Sequence, residues 1–383
     1  MKKIAILGIT GSIGLSAVEV IREHKNDFKI VLASANNGYQ KLLSLAEEFN
    51  ILNLNVTNAS LKNKITDFPK NTNITFGDDK LQELLSTIEC DIVLNAISGS
   101  AGLLSSMTAI SCGIDLALAN KESLVMAGHL IMEKINNSNS KLIPVDSEHS
   151  AILQAIGKSN LDEVRKIILT ASGGPFRTLP VNEFEKITVE QSLNHPTWKM
   201  GPKITIDSAT MMNKGLEVIE AKWLFKKDIS DIETVIHPQS IVHSFVEFID
   251  GSIVAQMSFP TMKIPILYAL SYPVHINSNI FKTNITDLPS LTFSEVDQER
   301  YPLFFLAKEV GKMGGLMPAI MNAANEAAID LFLEKKIRFD QIFKIVQYII
   351  QKEKNIQNPE IKDIISANRE IYKRTLQDYL NIF

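Results

Sequence analysis

The chain has 383 residues, 45% hydrophobic and 21% charged, the balance of an ordinary soluble globular protein with room for two or three domains. Its formal net charge of −4 leaves no basic surplus for nucleic acid as a main partner, and no apolar run approaches the roughly 18 residues that would span a bilayer. Two cysteines, Cys90 and Cys112, are too few for a disulfide scaffold or a cysteine-built zinc site, so a reducing, cytoplasmic setting is expected.

A strand pattern starts at once, so no signal or transit segment is expected. Residues 3–7 read as a buried strand, Gly8-Ile9-Thr10-Gly11-Ser12-Ile13-Gly14 as a glycine loop, and the stretch to about Arg22 as an amphipathic helix. This is the opening of a dinucleotide-binding fold: the glycines let backbone approach a pyrophosphate and the helix offers it amide groups. A tight turn would use the same glycines, but their place in the first turn of a β/α repeat favours a nucleotide. Further strands are predicted at 29–33, 91–96, 116–119 and 141–145, with helices between them such as 39–48, which implies a parallel sheet. The second strand runs into Ser34-Ala35-Asn36-Asn37, with no acid to bind a ribose 2′-hydroxyl. That favours NADP over NAD, although no Lys or Arg is there either and Lys41 is the nearest cation.

Asn120-Lys121-Glu122 follows the strand at 116–119, where Lys121 would reach a substrate oxygen with Asn120 and Glu122 near a nicotinamide; a plain helix start with Glu in its first turn reads equally well. Asp146 and Glu148 follow the apolar run Leu142-Ile143-Pro144-Val145. In an extended chain they would project together at the carboxyl end of a strand, and acids that close share a proton or a cation. The plain alternative is a helix N-terminus decorated with acids.

Beyond His149 a helix is predicted from about 151 and a strand at 166–170, followed by Ala171-Ser172-Gly173-Gly174-Pro175. The polar connection 173–202 has the length of a lid, with one short helix signalled by the capping-box spacing of Thr188 and Gln191. Within it, His195 and Trp198 suit closure over a substrate, or a small hydrophobic anchor. A helix at 210–225 has Leu216, Ile219 and Trp223 on its apolar face, which turns Glu217 and Lys214 elsewhere. With Asp146 and Glu148, Glu217 would complete an all-oxygen set suited to Mg²⁺ or Mn²⁺ rather than zinc. Ser172, Ser208, Asn213 and Lys214 offer hydroxyl, amide and ammonium donors for a phosphate, though each singly reads as an ordinary cap or surface residue. Strands at 241–249 and 252–259 are joined by Asp250-Gly251 as a hairpin. Apolar residues on both its faces, including Val242, Phe245, Val246 and Phe248, fit pairing across a dimer or packing on helices. Residues 272–297 read as a linker, and four helical periods begin near Tyr301, Pro318, Phe339 and Glu360. His129, His149, His237 and His243 read as structural, for want of ligand-spaced partners. The expected organisation is α/β: a Rossmann-like NADP-binding domain (1–146), a central α/β catalytic domain (147–271), the linker, and a C-terminal helical bundle (298–383).

The glycine loop, Ala119-Asn120-Lys121-Glu122-Ser123-Leu124, Pro144-Val145-Asp146-Ser147-Glu148-His149, Ser172-Gly173-Gly174-Pro175-Phe176 and Asp207-Ser208-Ala209-Thr210-Met211-Met212-Asn213-Lys214-Gly215-Leu216-Glu217 occur in order, with Ile236-His237-Pro238-Gln239-Ser240 and Asn322-Ala323-Ala324-Asn325-Glu326 beyond them. Together they resemble the 1-deoxy-D-xylulose 5-phosphate reductoisomerase family along nearly the whole chain. The resemblance implies NADPH- and metal-dependent conversion of 1-deoxy-D-xylulose 5-phosphate to 2-C-methyl-D-erythritol 4-phosphate, in non-mevalonate isoprenoid synthesis, by a homodimer with one Mg²⁺ or Mn²⁺ per subunit. It implies NADPH contacts from Thr10, Gly11, Ser12, Ile13, Asn120, Glu122 and Gly201, to which position in the fold adds Gly8, Asn36 and Asn37. Asp146, Glu148 and Glu217 would hold the metal. Lys121, Ser147, Glu148, Ser172, His195, Ser208, Asn213, Lys214 and Glu217 would surround the substrate, under a lid that includes His195 and Trp198. Catalysis would fall to Lys121, Asp146, Glu148, His195 and Glu217. A substrate contact from Ser147 further implies a turn into a helix there, in place of a regular strand. The chain departs from the family at Asn36-Asn37-Gly38, where many relatives carry Gly-Lys-Asn. Two rival classes differ in what they need: a plain NADP-dependent dehydrogenase, with Cys112 its one tempting nucleophile, has no use for three metal acids, and a nucleotide-binding regulator needs neither lid nor phosphate donors.

Overall fold

The computed structural model describes residues 1–198, 200–279 and 282–382; Lys199 of the predicted lid, Ile280 and Phe281 of the predicted linker and Phe383 of the predicted bundle lie outside the described residues. The chain begins as a β/α alternation: β1 (Lys2–Leu7), α1 (Ser12–Glu23), β2 (Phe28–Ala35), α2 (Tyr39–Phe49), β3 (Asn53–Val56), β4 (Asn73–Phe76), α3 (Asp78–Thr87), β5 (Ile92–Asn95), α4 (Leu103–Ser111), β6 (Asp115–Leu118), α5 (Lys121–Asn136) and β7 (Leu142–Pro144). These strands form one sheet in the order β4-β3-β2-β1-β5-β6-β7, with every pair parallel. Ile4, Ala5, Ile6 and Leu7 of the central strand are wholly buried, as a strand covered by helices on both faces requires. Each of the three large side chains contributes about 1.5–3 kcal/mol relative to exposure. Since β1 pairs with both β2 and β5, the chain reverses its direction of travel across the sheet between them, and that switch point is where open α/β sheets bind ligands.

Next come α6 (Ser147–Ile156), β8 (Val164–Ala171), the one-turn α7 (Val189–Ser192), α8 (Pro202–Ala209), α9 (Met212–Phe225), β9 (Ile232–Ile236), β10 (Val242–Phe248), β11 (Ile253–Met257) and α10 (Lys263–Ser271). Helices α11 (Pro302–Met313), α12 (Met317–Leu333), α13 (Phe339–Lys352) and α14 (Ile361–Asp378) follow. The second sheet has the order β11-β10-β8-β9, in which β10 is antiparallel to β8 and β11, while β8 and β9 are parallel.

The chain forms two compact units. The first comprises Met1–Ser123, Ile131–Ser150 and Thr261–Lys282. In it α10 packs on α1, fastened by a Lys263–Glu19 ion pair of 2.5 Å and by Lys2 Nζ donating to Leu270 O at 3.0 Å. The second comprises Leu124–Leu130, Ala151–Pro260 and Thr283–Phe383. Its core joins Ile167 and Leu169 of β8, Val218 and Phe225 of α9, Ile232 and Ile236 of β9, and Tyr301 and Phe304 at the start of α11. In the bundle α12 packs on α13 and α14. Among the described residues no helix is long and apolar enough to cross a membrane.

One local expectation needs correction, and one helix is additional to those expected. Strand β7 ends at Pro144 and α6 starts at Ser147 rather than near 151, with Ser150 N donating to Asp146 O at 2.8 Å. Asp146 and Glu148 therefore sit at a strand-to-helix turn, as the resemblance implied for Ser147, and not in the extended alternation that the apolar run suggested. The helix expected at 210–225 is α9, and an unpredicted one precedes it: Pro202 opens α8 from the first-turn position that suits its fixed φ, and Met211, at φ 60°, breaks the chain between the two.

Candidate functional site

At the switch point of the first unit the glycine loop is built by close backbone approach. A Cβ on Gly8, whose φ is +80°, would lie 2.7 Å from Ala96 O, and one on Gly14 would lie 2.4 Å from Gly8 O. Gly8 N and Ile9 N donate to Ser34 O at 3.0 and 2.9 Å, tying the loop to β2. Gly11 is the N-cap of α1, which has no side-chain cap and no acid in its first turn. The first amides, including those of Ser12 and Ile13, and the positive end of the helix dipole are thus left to an anion, which fits the pyrophosphate of a dinucleotide. A Cβ on Gly38 would come within 2.9 Å of Thr10 Oγ1, so glycine there lets Thr10 meet the end of β2. Asn36 and Asn37 are exposed at that end, and Asn58 Nδ2 donates to Asn37 Oδ1 at 2.7 Å.

At the neighbouring strand ends, Asn120 caps α5 by accepting from Ser123 N at 3.2 Å, while its Nδ2 donates to Ile97 O at 2.6 Å and Gly99 O at 2.7 Å. Much of its hydrogen-bonding capacity is thus spent on holding the loop after β5. Lys121 and Glu122, in the first turn of α5, are both buried. The Lys121 ammonium pairs with the Asp146 carboxylate. Strands β6 and β7 are adjacent and parallel, so residues just past their carboxyl ends meet. Burial opposes ionisation of Asp146, but the Lys121 charge, His149 and a hydrogen bond with Glu148 outweigh it and hold the carboxyl well below the usual carboxylate range. Ser147 Oγ donates to Glu148 Oε2 at 2.6 Å. Sequence reasoning treated Lys121 and Asp146 separately; strand order was the signal that pairs them.

In the second unit Ser172 follows β8. Its Oγ lies 3.1 Å from His195 Nε2 and accepts from Gly174 N at 3.2 Å. A Cβ on Gly174, at φ +66°, would lie 2.8 Å from Ser208 O, so this glycine lets the Ser172 turn approach the end of α8 that carries Ser208. Tyr301 OH donates to Gly173 O at 2.8 Å, and burial pushes that phenol up to about 12, keeping it a neutral donor. Both halves of the Thr188–Gln191 capping box form, at 3.2 and 2.9 Å. Trp198 lies beside His243, ring centroids 6.5 Å apart. Gly201 is the N-cap of α8.

Helix α9 carries Asn213, Lys214 and Glu217. Asn213 Nδ2 donates to Glu217 Oε1 at 2.5 Å and the Lys214 ammonium pairs with Glu217 Oε2. Lys214 and Glu217 share a face, as expected, yet both are buried, 3% and 1% exposed, so the polar side of α9 is interior rather than solvated. A carboxylate this buried is tenable because it is paired; losing its partner would cost roughly 3–5 kcal/mol. Sequence reasoning did not find the buried Asp207, which accepts from Lys203 Nζ at 2.8 Å and Asn325 Nδ2 at 2.7 Å and so ties α8 to α12.

Residues 4–128 match the family model described as 1-deoxy-D-xylulose 5-phosphate reductoisomerase, and residues 142–225 and 257–374 match the models of two C-terminal domains of the same enzyme. A 1-deoxy-D-xylulose 5-phosphate reductoisomerase of Thermoanaerobacter sp. (strain X514) is 46% identical over 384 residues, covering 99% of this chain and 100% of that protein. The chain belongs to the 1-deoxy-D-xylulose 5-phosphate reductoisomerase family. The reductoisomerase of Clostridium tetani is 44% identical over 383 residues, 99% of this chain and 100% of its own. A reductoisomerase crystal structure in complex with NADPH, fosmidomycin and magnesium matches at TM-score 0.93 and 37% identity over 99% of both chains. That of Zymomonas mobilis, in complex with NADPH, matches at 0.90 and 39% over 98% of both. The expected α/β architecture is therefore that of reductoisomerases. Against the dehydrogenase alternative, Cys112 is exposed after α4 and before β6, at the amino-terminal edge of the sheet, opposite the strand ends that carry the site.

Proposed function

We propose that this reductoisomerase converts 1-deoxy-D-xylulose 5-phosphate to 2-C-methyl-D-erythritol 4-phosphate with NADPH and one Mg²⁺ or Mn²⁺ per subunit. The full-length family match carries this reading, and the chemistry of each unit supports it. Gly8, Thr10, Gly11, Ser12 and Ile13 would bind the NADPH pyrophosphate, with Asn36 and Asn37 toward the adenosine ribose and Asn120, Glu122 and Gly201 toward the nicotinamide end; the uncapped start of α1 supports the first of these assignments. Asp146, Glu148 and Glu217 would hold the ion, an all-carboxylate set suited to a hard cation. When bound, the ion polarises substrate oxygens as a Lewis acid and NADPH supplies the hydride.

The chain's own residues orient and shield. Lys121, paired with Asp146, stabilises negative charge developing on a substrate oxygen while a carbon–carbon bond breaks and re-forms beside a carbonyl. Ser147 and Glu148 line the same strand ends. Ser172, Ser208, Asn213 and Lys214 grip the phosphate, and binding energy from this non-reacting end lowers the barrier at the other. His195 and Trp198 belong to a lid that excludes water and retains the aldehyde until hydride reaches it.

The subunits form a homodimer through β11, an edge strand whose Ile253, Val254 and Met257 are exposed. A reducing cytoplasm suits a chain whose two cysteines are free thiols. The test follows NADPH oxidation with 1-deoxy-D-xylulose 5-phosphate, with and without added Mg²⁺ or Mn²⁺. Asp146→Asn is expected to keep NADPH binding, read by nucleotide fluorescence, while turnover falls roughly 100-fold or more. Unchanged turnover would sink the metal assignment.

A further inference from the structure

We propose that the backbone of Thr197 and Trp198 is a positioning element: it fixes His195 as the neutral tautomer protonated on Nε2, which turns the Ser172 hydroxyl proton outward as a donor to the substrate phosphate. The assignment deepens the function proposed above, and rests on it for the identity of the phosphate.

Thr197 N and Trp198 N donate to His195 Nδ1 at 3.1 and 3.0 Å. Backbone N–H groups only donate, so Nδ1 carries no proton, and a neutral imidazole must then carry it on Nε2. Nε2 lies 3.1 Å from Ser172 Oγ, which makes that oxygen the acceptor. The same oxygen accepts from Gly174 N at 3.2 Å. With both lone pairs engaged, the hydroxyl can only donate, and among the described residues no acceptor is bonded to its proton. A phosphate oxygen supplies one. Protonating the ring at Nδ1 would forfeit two backbone bonds, and burial already depresses the imidazole to about 4, so a cation is disfavoured twice over. His195 is on this account a donor rather than a general base. The dianionic phosphate meets a neutral, directional hydrogen bond from this side, and the charge of Lys214 from α9.

The experiment uses the full chain with NADPH, its histidines labelled with ¹⁵N, and His195→Gln to assign the His195 signals. The expected spectrum shows a one-bond proton coupling at Nε2 and an unprotonated Nδ1, both without and with inorganic phosphate. Coupling at Nδ1, or a doubly protonated ring in either state, overturns the inference even if turnover is intact. A double-mutant cycle reads the link to the phosphate. His195→Ala and Ser172→Ala should each raise KM for substrate about tenfold, and together scarcely more, because they act as one unit. Additive losses would overturn the positioning role. Absence of any turnover by the parent chain, alongside the expected tautomer, would instead overturn the proposed activity and with it the phosphate as acceptor.

Discussion

Asn37 stands exposed just past the end of β2, its side-chain oxygen held by Asn58. A neutral amide can donate to a ribose 2′-phosphate but brings no charge to it. Asn37→Lys is expected to tighten NADPH binding about fivefold, the worth of one exposed ion pair near 1 kcal/mol, and to leave NADH binding unchanged. Titrating both nucleotides at low and high salt checks this, because the gain must shrink as screening rises. Equal gains for both nucleotides would place the 2′-phosphate elsewhere. Residue types were readable here because absence of charge is visible in a sequence. The Lys121–Asp146 pair was not, since its members lie on different β/α units and only the strand order joins them.

Helices α8 and α12 are linked through Asp207, whose carboxylate is 1% exposed and accepts from Asn325. Removing the amide leaves a buried acceptor short of one bond, so Asn325→Ala should cost about 1–3 kcal/mol of unfolding free energy in a denaturant titration. Because Ser208 lies at the end of α8, KM for substrate should rise as well; a stability loss with unchanged KM would confine Asn325 to packing. Elements with strong periodicity or glycine punctuation were legible: β1, α1, the hairpin of β10 and β11, and all four bundle helices lie where the pattern puts them. Short, polar strands were not. Strand β3 is Asn53-Leu54-Asn55-Val56 and β9 is Ile232-Glu233-Thr234-Val235-Ile236, each too brief for its alternation to stand out from a loop. The start of α6 was masked because an apolar run leads straight into it through Asp146 with no glycine between.

For the molecule as a whole, the proposed dimer would form at the exposed edge of β11. Val254 pairs with Val246 of β10 and is 41% exposed. Val254→Lys, a charge of the kind that blunts free sheet edges, should shift the protein toward monomer by size exclusion with light scattering. A variant that stays dimeric alongside a dimeric parent would move the interface to another face, and a monomeric parent would overturn the proposed dimer. The two compact units are themselves not contiguous in the chain, and this bears on synthesis. The first unit needs Thr261–Lys282, which supplies α10 to cover α1, yet everything from Ala151 to Pro260 is made in between. A ribosome that has finished the whole seven-stranded sheet has still not produced α10, whose own Ile266, Leu267 and Leu270 are buried in the finished protein. The domain translated first is thus completed late, and for that interval its nascent form presents a greasy surface of the kind chaperones bind.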